Sequence, residues 1–138
     1  DYSENKILLN PSIIANLSLN YRTDFGLNVY VTAQHIGKQY LDNSENERKN
    51  PTARNATGYA DKFINAYTVF NAGISYDVIS SLSDKRIKSY VNSIEVSLKM
   101  NNIFDRLYET SGSVDWYGTP YWIPAAERNF YVNVKVGL

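Results

Sequence analysis

The chain has 138 residues, which is enough for one domain of ordinary size. Its 14 basic and 14 acidic side chains balance to a formal charge of zero, so no nucleic-acid partner is expected. Cysteine is absent, which excludes disulfide frameworks and cysteine-based metal sites.

Apolar and polar residues alternate in five segments of the chain, and this period of two predicts strands with two different faces. No segment has a convincing helical period. In chain order the predicted strands span residues 12–21, 27–40, 70–78, 94–101 and 130–138. The alternation continues through residues 101–109, which are also expected to be extended.

The two faces of the predicted strands differ in charge. The apolar faces carry only two basic side chains, His35 and Arg128, both near strand ends. A Lys or Arg that faces lipid near the bilayer midplane costs about 2–4 kcal/mol, so a lipid-facing stripe should exclude charge in this way. The core face of a soluble β-sandwich is equally apolar, so alternation alone fits both. The residues predicted to line a wet barrel interior are Glu95, Lys99, Tyr131, Asn133 and Lys135.

Strand and loop lengths favour the barrel. Strands of soluble sheets average about five or six residues, whereas a strand that crosses a bilayer needs about 9–11. The segments here sustain their pattern for about ten residues, which is closer to the second length. A short turn at 22–26 and a moderate one at 79–92 alternate with long loops at 42–64 and 110–126, the pattern of periplasmic turns and extracellular loops. The fold prediction is all-β: an antiparallel up-and-down meander of about five long strands, the C-terminal portion of a transmembrane β-barrel in outer-membrane lipid.

Five strands cannot close a barrel, and each unpaired backbone group in lipid is costly. We therefore expect residues 1–138 to be one C-terminal segment of a barrel domain whose other strands lie upstream.

Three stretches of the chain carry a family resemblance. They are Ile-Gly-Lys-Gln-Tyr-Leu-Asp-Asn at 36–43, Asn-Ile-Phe-Asp-Arg-Leu-Tyr-Glu at 102–109 and Arg-Asn-Phe at 128–130. Together they resemble the C-terminal barrel of TonB-dependent outer-membrane receptors, particularly those of Bacteroidetes-type bacteria. The second stretch resembles the family's penultimate strand and the third its closing strand. The matching motif residues are Asn102, Phe104, Asp105, Tyr108, Arg128 and Phe130.

Two positions depart from the family pattern. Glu127 stands where the family usually has glycine before the arginine of the final strand. The chain ends at Leu138, whereas such barrels commonly end on an aromatic residue.

The resemblance implies a barrel of about 22 strands whose lumen is blocked by a plug domain. It also implies import of a scarce nutrient (an iron chelate, cobalamin or a glycan) driven by the proton-motive force. The plug domain, the remaining strands and the segment that contacts an energy-coupling inner-membrane partner would lie upstream. A surface lipoprotein could cap the mouth. No cofactor is implied.

The aromatic loop at 110–126 holds the candidate ligand contacts Trp116, Tyr117, Tyr121 and Trp122. Aromatic rings stack on sugar faces or chelate rings, so these side chains would contact ligand at the extracellular mouth. They could instead pack on neighbouring loops or anchor at the membrane surface. The alternative function is a soluble β-sandwich module that binds carbohydrate through this loop.

No catalytic motif is present: the sequence lacks a nucleophile elbow, a zinc-protease motif and a glycine-rich phosphate loop. A metal site needs several ligands, and the single histidine, His35, without cysteine does not predict one. We therefore expect neither an enzyme nor a metal site.

Overall fold

The computed structural model describes residues 7–42, 50–56, 58–59, 62–81 and 91–137. Strand dominates these ranges, and helix is confined there to two four-residue turns, Pro51–Arg54 and Val78–Ser81. Outside the described ranges lie parts of the predicted connections at 42–64 and 79–92. Asn43, the last residue of the 36–43 stretch, and Leu138, the last residue of the chain, lie outside them as well. The strands are β1 (Ile14–Arg22), β2 (Leu27–Ile36), β3 (Gln39–Tyr40), β4 (Phe63–Ile64), β5 (Tyr67–Asp77), β6 (Ser93–Asn101), β7 (Glu109–Val114), β8 (Pro120–Pro124) and β9 (Asn129–Gly137).

Five long strands form one sheet in the order β1-β2-β5-β6-β9. β6 pairs antiparallel with both β5 and β9. The five strands have 9, 10, 11, 9 and 9 residues. The predicted all-β meander of about five long strands is therefore confirmed.

Cross-strand register also places alternate residues of the sheet in two sets of rows on opposite faces. The apolar rows across β5, β6 and β9 are Ala72–Met100–Phe130, Ile74–Leu98–Val132 and Tyr76–Val96–Val134. The intervening rows are Gly73–Lys99–Tyr131, Ser75–Ser97–Asn133 and Asp77–Glu95–Lys135. We call these two sides the apolar face and the polar face of the sheet.

The second predicted strand, at 27–40, is wrong as one continuous strand. β2 ends at Ile36, and the Gly37 N–H donates to the Ile13 carbonyl over 2.8 Å. A Cβ on Gly37 would lie 3.2 Å from the Ile13 backbone, so glycine permits this close approach. Tyr40 pairs with Phe63 of β4 instead of continuing the large sheet.

Residues 101–109 were also expected to be extended, and that expectation is wrong beyond Asn101. Asn102 and Asp105 both have φ of 52°, in the left-handed region that an extended strand does not visit. The Asp105 N–H donates to the Asn102 carbonyl over 2.8 Å and closes a turn there. The chain becomes extended again only at Glu109.

In the described residues, the predicted long connections contain the short strands β4, β7 and β8, which the alternation did not predict. β3 pairs with β4 in a two-residue ribbon, and β7 pairs with β8 in a hairpin. Two paired residues are too few to produce a recognisable periodicity in the sequence.

The chain divides into two compact units. The first comprises residues 1–15, 35–68 and 107–125, and the second comprises 16–34, 69–106 and 126–138, in each case as far as they are described. Leu41 and Ile64 are buried in the first unit, and Val69 and Ile79 in the second.

Candidate functional site

The hairpin of β7 and β8 contains all four aromatic residues that were predicted to contact ligand. Gly112 pairs with Trp122 and Ser113 pairs with Tyr121. At its tip Gly118 has φ of 84°, and its N–H donates to the Asp115 carbonyl over 3.0 Å. A positive φ suits glycine here because no Cβ is present to clash.

The carboxylate of Asp115 organises the hairpin tip. It accepts the backbone N–H groups of Thr119 at 2.8 Å and Tyr117 at 2.9 Å. Its second oxygen accepts the Tyr121 hydroxyl at 3.3 Å. The hydrogen bond from Thr119, and then those from Tyr117 and Tyr121, lower the pKa of Asp115 because they stabilise the charged carboxylate. Asp115 therefore holds the tip as an anion.

The four aromatic residues do not form one platform. Trp116 and Tyr117 project from the tip and are 96% and 91% exposed. Tyr121 and Trp122 are successive residues of β8, so they face opposite sides of the hairpin. The structure therefore leaves Trp116 and Tyr117 exposed at the tip, ties Tyr121 to Asp115 and places Trp122 on the other side of the hairpin.

Trp122 and Gly112 fix the hairpin to the β3–β4 ribbon. The indole Nε1–H of Trp122 donates to the Phe63 carbonyl over 3.1 Å. A Cβ on Gly112 would lie 2.8 Å from Leu41 Cδ1, so the buried leucine fills the space that glycine leaves. The hairpin and the ribbon consequently pack together within the first unit.

An open cleft of ≈ 420 Å³ lies in this first unit, lined by Phe63, Asn65, Glu109 and Trp122. The Lys38 ammonium lies 3.3 Å from the centroid of the Phe63 ring. Sequence analysis identified only Trp122 of the four lining residues. Phe63 and Asn65 precede one long strand, whereas Glu109 follows another, so no local motif links them.

The five residues predicted to face the barrel interior do share one face of the sheet. Glu95 pairs with Lys135 on one side and Asp77 on the other. Two carboxylates directly opposite each other repel, and the adjacent Lys135 offsets that repulsion. The other three occupy the neighbouring rows of the same face, with Lys99 opposite Tyr131 and Asn133 opposite Ser97.

Hydrogen bonds between side chains cross the sheet on this polar face. Each joins two adjacent strands at 2.9–3.2 Å, so polar groups that lie beside each other are paired. The pairs are Gln34–Asn16, Asn71–Thr32 and Asn101–Asn129.

Asn102, the first motif residue, ties three backbone groups together. Its side-chain NH₂ donates to the carbonyls of Arg106 at 2.9 Å and Ala126 at 3.5 Å, and its Oδ1 accepts the Arg106 N–H at 2.9 Å. The Asn102 N–H in turn donates to Asn71 Oδ1 at 3.0 Å. Asn102 is only 3% exposed, so its role here is to hold the turn that follows β6.

Asp105, the next polar motif residue, connects this turn to the start of β9. Its Oδ1 accepts the Arg128 N–H at 2.8 Å, and its Oδ2 lies 3.8 Å from the Arg128 guanidinium. Both side chains are about half exposed, so the ion pair contributes little beyond the backbone hydrogen bond.

The aromatic motif residues make ring contacts or remain exposed. Phe104 meets Phe70 edge-on at 5.3 Å between ring centroids, and Tyr108 lies 4.3 Å from Tyr67. Phe130 pairs with Met100 on the apolar face and is exposed. Among the motif residues, Asn102 and Asp105 therefore hold strand ends in place.

Among the residues that the structure describes, no three acidic or histidine side chains gather into a metal site. In the same part of the chain no helix is long and apolar enough to cross a membrane.

Comparison with known proteins adds no relative: no protein-family model matches the chain, and no curated protein or solved structure matches it significantly.

Proposed function

We propose that this chain is the C-terminal part of an outer-membrane β-barrel that imports a scarce nutrient in the manner of TonB-dependent receptors. The observation that carries the proposal is the five-stranded sheet, which has one uncovered apolar face and one hydrogen-bonded polar face. No catalytic role forms part of the proposal.

The apolar face is suited to lipid. Within the long strands it contains no Asp, Glu, Lys or Arg, and the exposed fractions of Val96, Leu98, Val134 and Val132 run from 40% to 69%. A contiguous apolar surface of this kind is unfavourable in water and marks an interaction surface. Lipid hydrocarbon suits such a surface, because the outer walls of membrane barrels are apolar and free of charge.

The polar face is suited to the interior of a barrel. It carries the hydrogen-bonded side-chain pairs and the row of Asp77, Glu95 and Lys135. Asn28 adds a buried Oδ1 that has no hydrogen-bond partner among the described residues. Buried polar atoms are normally paired, so water or a polar group of a plug domain would complete this face.

The edges of the sheet support a larger assembly. β1 and β9 are the outermost strands, and within the described ranges neither pairs with a further strand along its outer edge. Unpaired N–H and C=O groups are not tolerated in hydrocarbon. In the proposed barrel, upstream strands of the parent chain pair with these two edges and close the wall.

The import role comes from the resemblance at 36–43, 102–109 and 128–130. It brings with it a plug domain, an energy-coupling inner-membrane partner and, at the surface, a lipoprotein. The transported nutrient would be an iron chelate, cobalamin or a glycan. Two of the motif residues, Asn102 and Asp105, hold strand ends, which is consistent with a supporting part in such a barrel.

The alternative, a soluble carbohydrate-binding β-sandwich, has weaker support. A sandwich buries the apolar face of each sheet against the other sheet. Val132 and Val134 remain exposed here, and no second sheet covers them in the described part of the chain.

The proposal is tested by measuring which face of β9 contacts lipid. The 138 residues contain no cysteine, so Val134→Cys and Asn133→Cys each introduce one labelling site in this segment. A fluorophore attached to each is exposed to lipid-borne quenchers in vesicles that contain the intact protein. We expect strong quenching at position 134 and weak quenching at position 133. Equal quenching at both, or stronger quenching at 133, would contradict the proposal.

A further inference from the structure

We propose that the cleft lined by Phe63, Asn65, Glu109 and Trp122 binds a neutral oligosaccharide. Its volume of ≈ 420 Å³ falls within the range of about 300–1,000 Å³ that small-molecule sites occupy. The lining combines two aromatic residues with one carboxylate and one amide. Such sites pair aromatic surface with a small number of polar groups that orient the ligand.

Trp122 supplies a fixed aromatic surface. Its Nε1–H is already bonded to the Phe63 carbonyl, which fixes the orientation of the indole, and the residue is still 42% exposed. The C–H groups on one side of a pyranose ring pack well against such a surface, since aromatic side chains have an apolar face. Because the indole is held before ligand arrives, little side-chain entropy is lost on binding.

Glu109 and Asn65 supply unused hydrogen-bonding groups. Neither side chain makes a hydrogen bond to any residue in the described ranges. A carboxylate only accepts hydrogen bonds, whereas an amide both donates and accepts. Neighbouring hydroxyl groups of a sugar can donate to Glu109 and both accept from and donate to Asn65, so the polar lining matches a polyol.

Charge around the cleft favours a neutral ligand. Among the described lining residues Glu109 alone is charged, and its carboxylate would repel an anionic sugar or a phosphate. A cationic ligand would seek the aromatic rings, but the Lys38 ammonium already lies 3.3 Å from the Phe63 ring centroid. A neutral ligand whose hydroxyl groups donate hydrogen bonds to Glu109 fits both facts.

The lining residues of the cleft belong to the connections β2–β5 and β6–β9. That these connections face the cell exterior rests on the proposed function. The binding chemistry of the cleft does not depend on it.

The test is a glycan array probed with the purified intact protein in detergent. The array carries neutral glucans, mannans and galactans together with aminated and sulfated versions of the same glycans. Two variants alter the cleft: Glu109→Gln removes the charge with little change of shape, and Asn65→Ala removes the amide. Their matched controls, Glu127→Gln and Asn55→Ala, make the same changes at exposed positions outside the cleft.

We expect the wild-type protein and both controls to bind neutral glycans in preference to charged ones. Loss of a hydrogen bond to a charged group weakens binding by about tenfold or more, so Glu109→Gln should reduce affinity by at least that factor, and Asn65→Ala by a smaller one. Absence of neutral-glycan binding, preference for charged glycans, or unchanged affinity in both cleft variants would overturn the inference.

Quenching at positions 133 and 134 separates this outcome from failure of the proposed function. Lipid contact at 134 without glycan binding refutes the cleft alone. Glycan binding without lipid contact refutes the barrel and retains the cleft.

Discussion

Replacing Val132 by lysine places a charge near the middle of the apolar face. β9 has nine residues, and Val132 is next to the central one, Asn133. At about 3.4 Å per residue the strand is about 30 Å long, and a tilt of about 45° makes it cross about 20 Å. This approaches the apolar band of about 25 Å on an outer-membrane barrel, so Val132 lies near the bilayer midplane.

The expected cost of Val132→Lys in the intact protein is about 2–4 kcal/mol, the penalty for a lipid-facing lysine at that depth. This corresponds to a decrease in the folding equilibrium constant of about 30-fold to several hundred-fold. Val132 is 69% exposed and lies opposite Leu98 in register, so the substitution itself removes little packing within the protein.

The matched control is Asn133→Lys on the polar face. Asn133 pairs with Ser97, and the nearby Lys135 is itself opposite Glu95, so an added lysine there should cost less than about 1 kcal/mol. Urea unfolding of the protein refolded in lipid vesicles measures both variants. Equal stability of the two, or a larger loss for Asn133→Lys, would refute the assignment of faces.

Three further predictions concern the turns and the packing of the sheet. Asn102→Ala should lower the free energy of unfolding by about 2–4 kcal/mol, because three hydrogen bonds are lost and alanine tolerates a left-handed φ poorly. In urea unfolding, Asn102→Gly should be less destabilising than Asn102→Ala. The reverse order would refute this prediction. Gly73→Ala should lower the free energy of unfolding by about 1–3 kcal/mol, because the added Cβ would overlap the Tyr30 ring. In the same assay, Gly73→Ala should cost less when it is combined with Tyr30→Ala. Additive effects of the two substitutions would contradict the contact. The lowered pKa of Asp115 means that its stabilisation of the hairpin tip is complete above the usual value of 3.8 and is lost as pH falls through the lowered pKa. Hydrogen exchange of residues 115–119, corrected for intrinsic rates, should therefore accelerate in acid, whereas Asp115→Asn should remove this pH dependence; persistence of the dependence in the variant would contradict the role of Asp115.

The two faces of the large sheet could be predicted because their pattern is local. Successive side chains of a strand point to opposite sides, so Val132 and Asn133 were assigned without knowledge of any partner strand. Register then placed Val132 beside Leu98 and Asn133 beside Ser97. Apolar residues therefore lie opposite apolar residues, and polar residues opposite polar ones, as in a sheet whose two faces differ.

Strand ends were harder to predict because distant contacts decide them. β2 stops where Gly37 meets Ile13, and β6 stops where Asn102 binds Arg106 and Ala126. The alternation of apolar and polar residues carries no information about such contacts. The turn at Asp115 differs, since Asp followed three residues later by Gly118 is a recognised turn pattern that the sequence analysis did not use.

The cleft could not be predicted from the sequence. Trp122 was singled out as an aromatic loop residue, but its neighbours Phe63 and Asn65 belong to the other long connection. They come together because the hairpin packs on the β3–β4 ribbon through Leu41 and Gly112. Aromatic content indicated a binding loop, and only tertiary packing showed which of its rings lines a cleft.

The most direct test of the barrel is the size and location of the native protein. Fractionated source cells are probed with an antibody against residues 110–126, with and without boiling of the samples. We expect an outer-membrane band several times larger than 15.7 kDa whose mobility shifts on boiling, as a folded barrel unfolds. A soluble band near 15.7 kDa would contradict the barrel and favour a self-contained binding module.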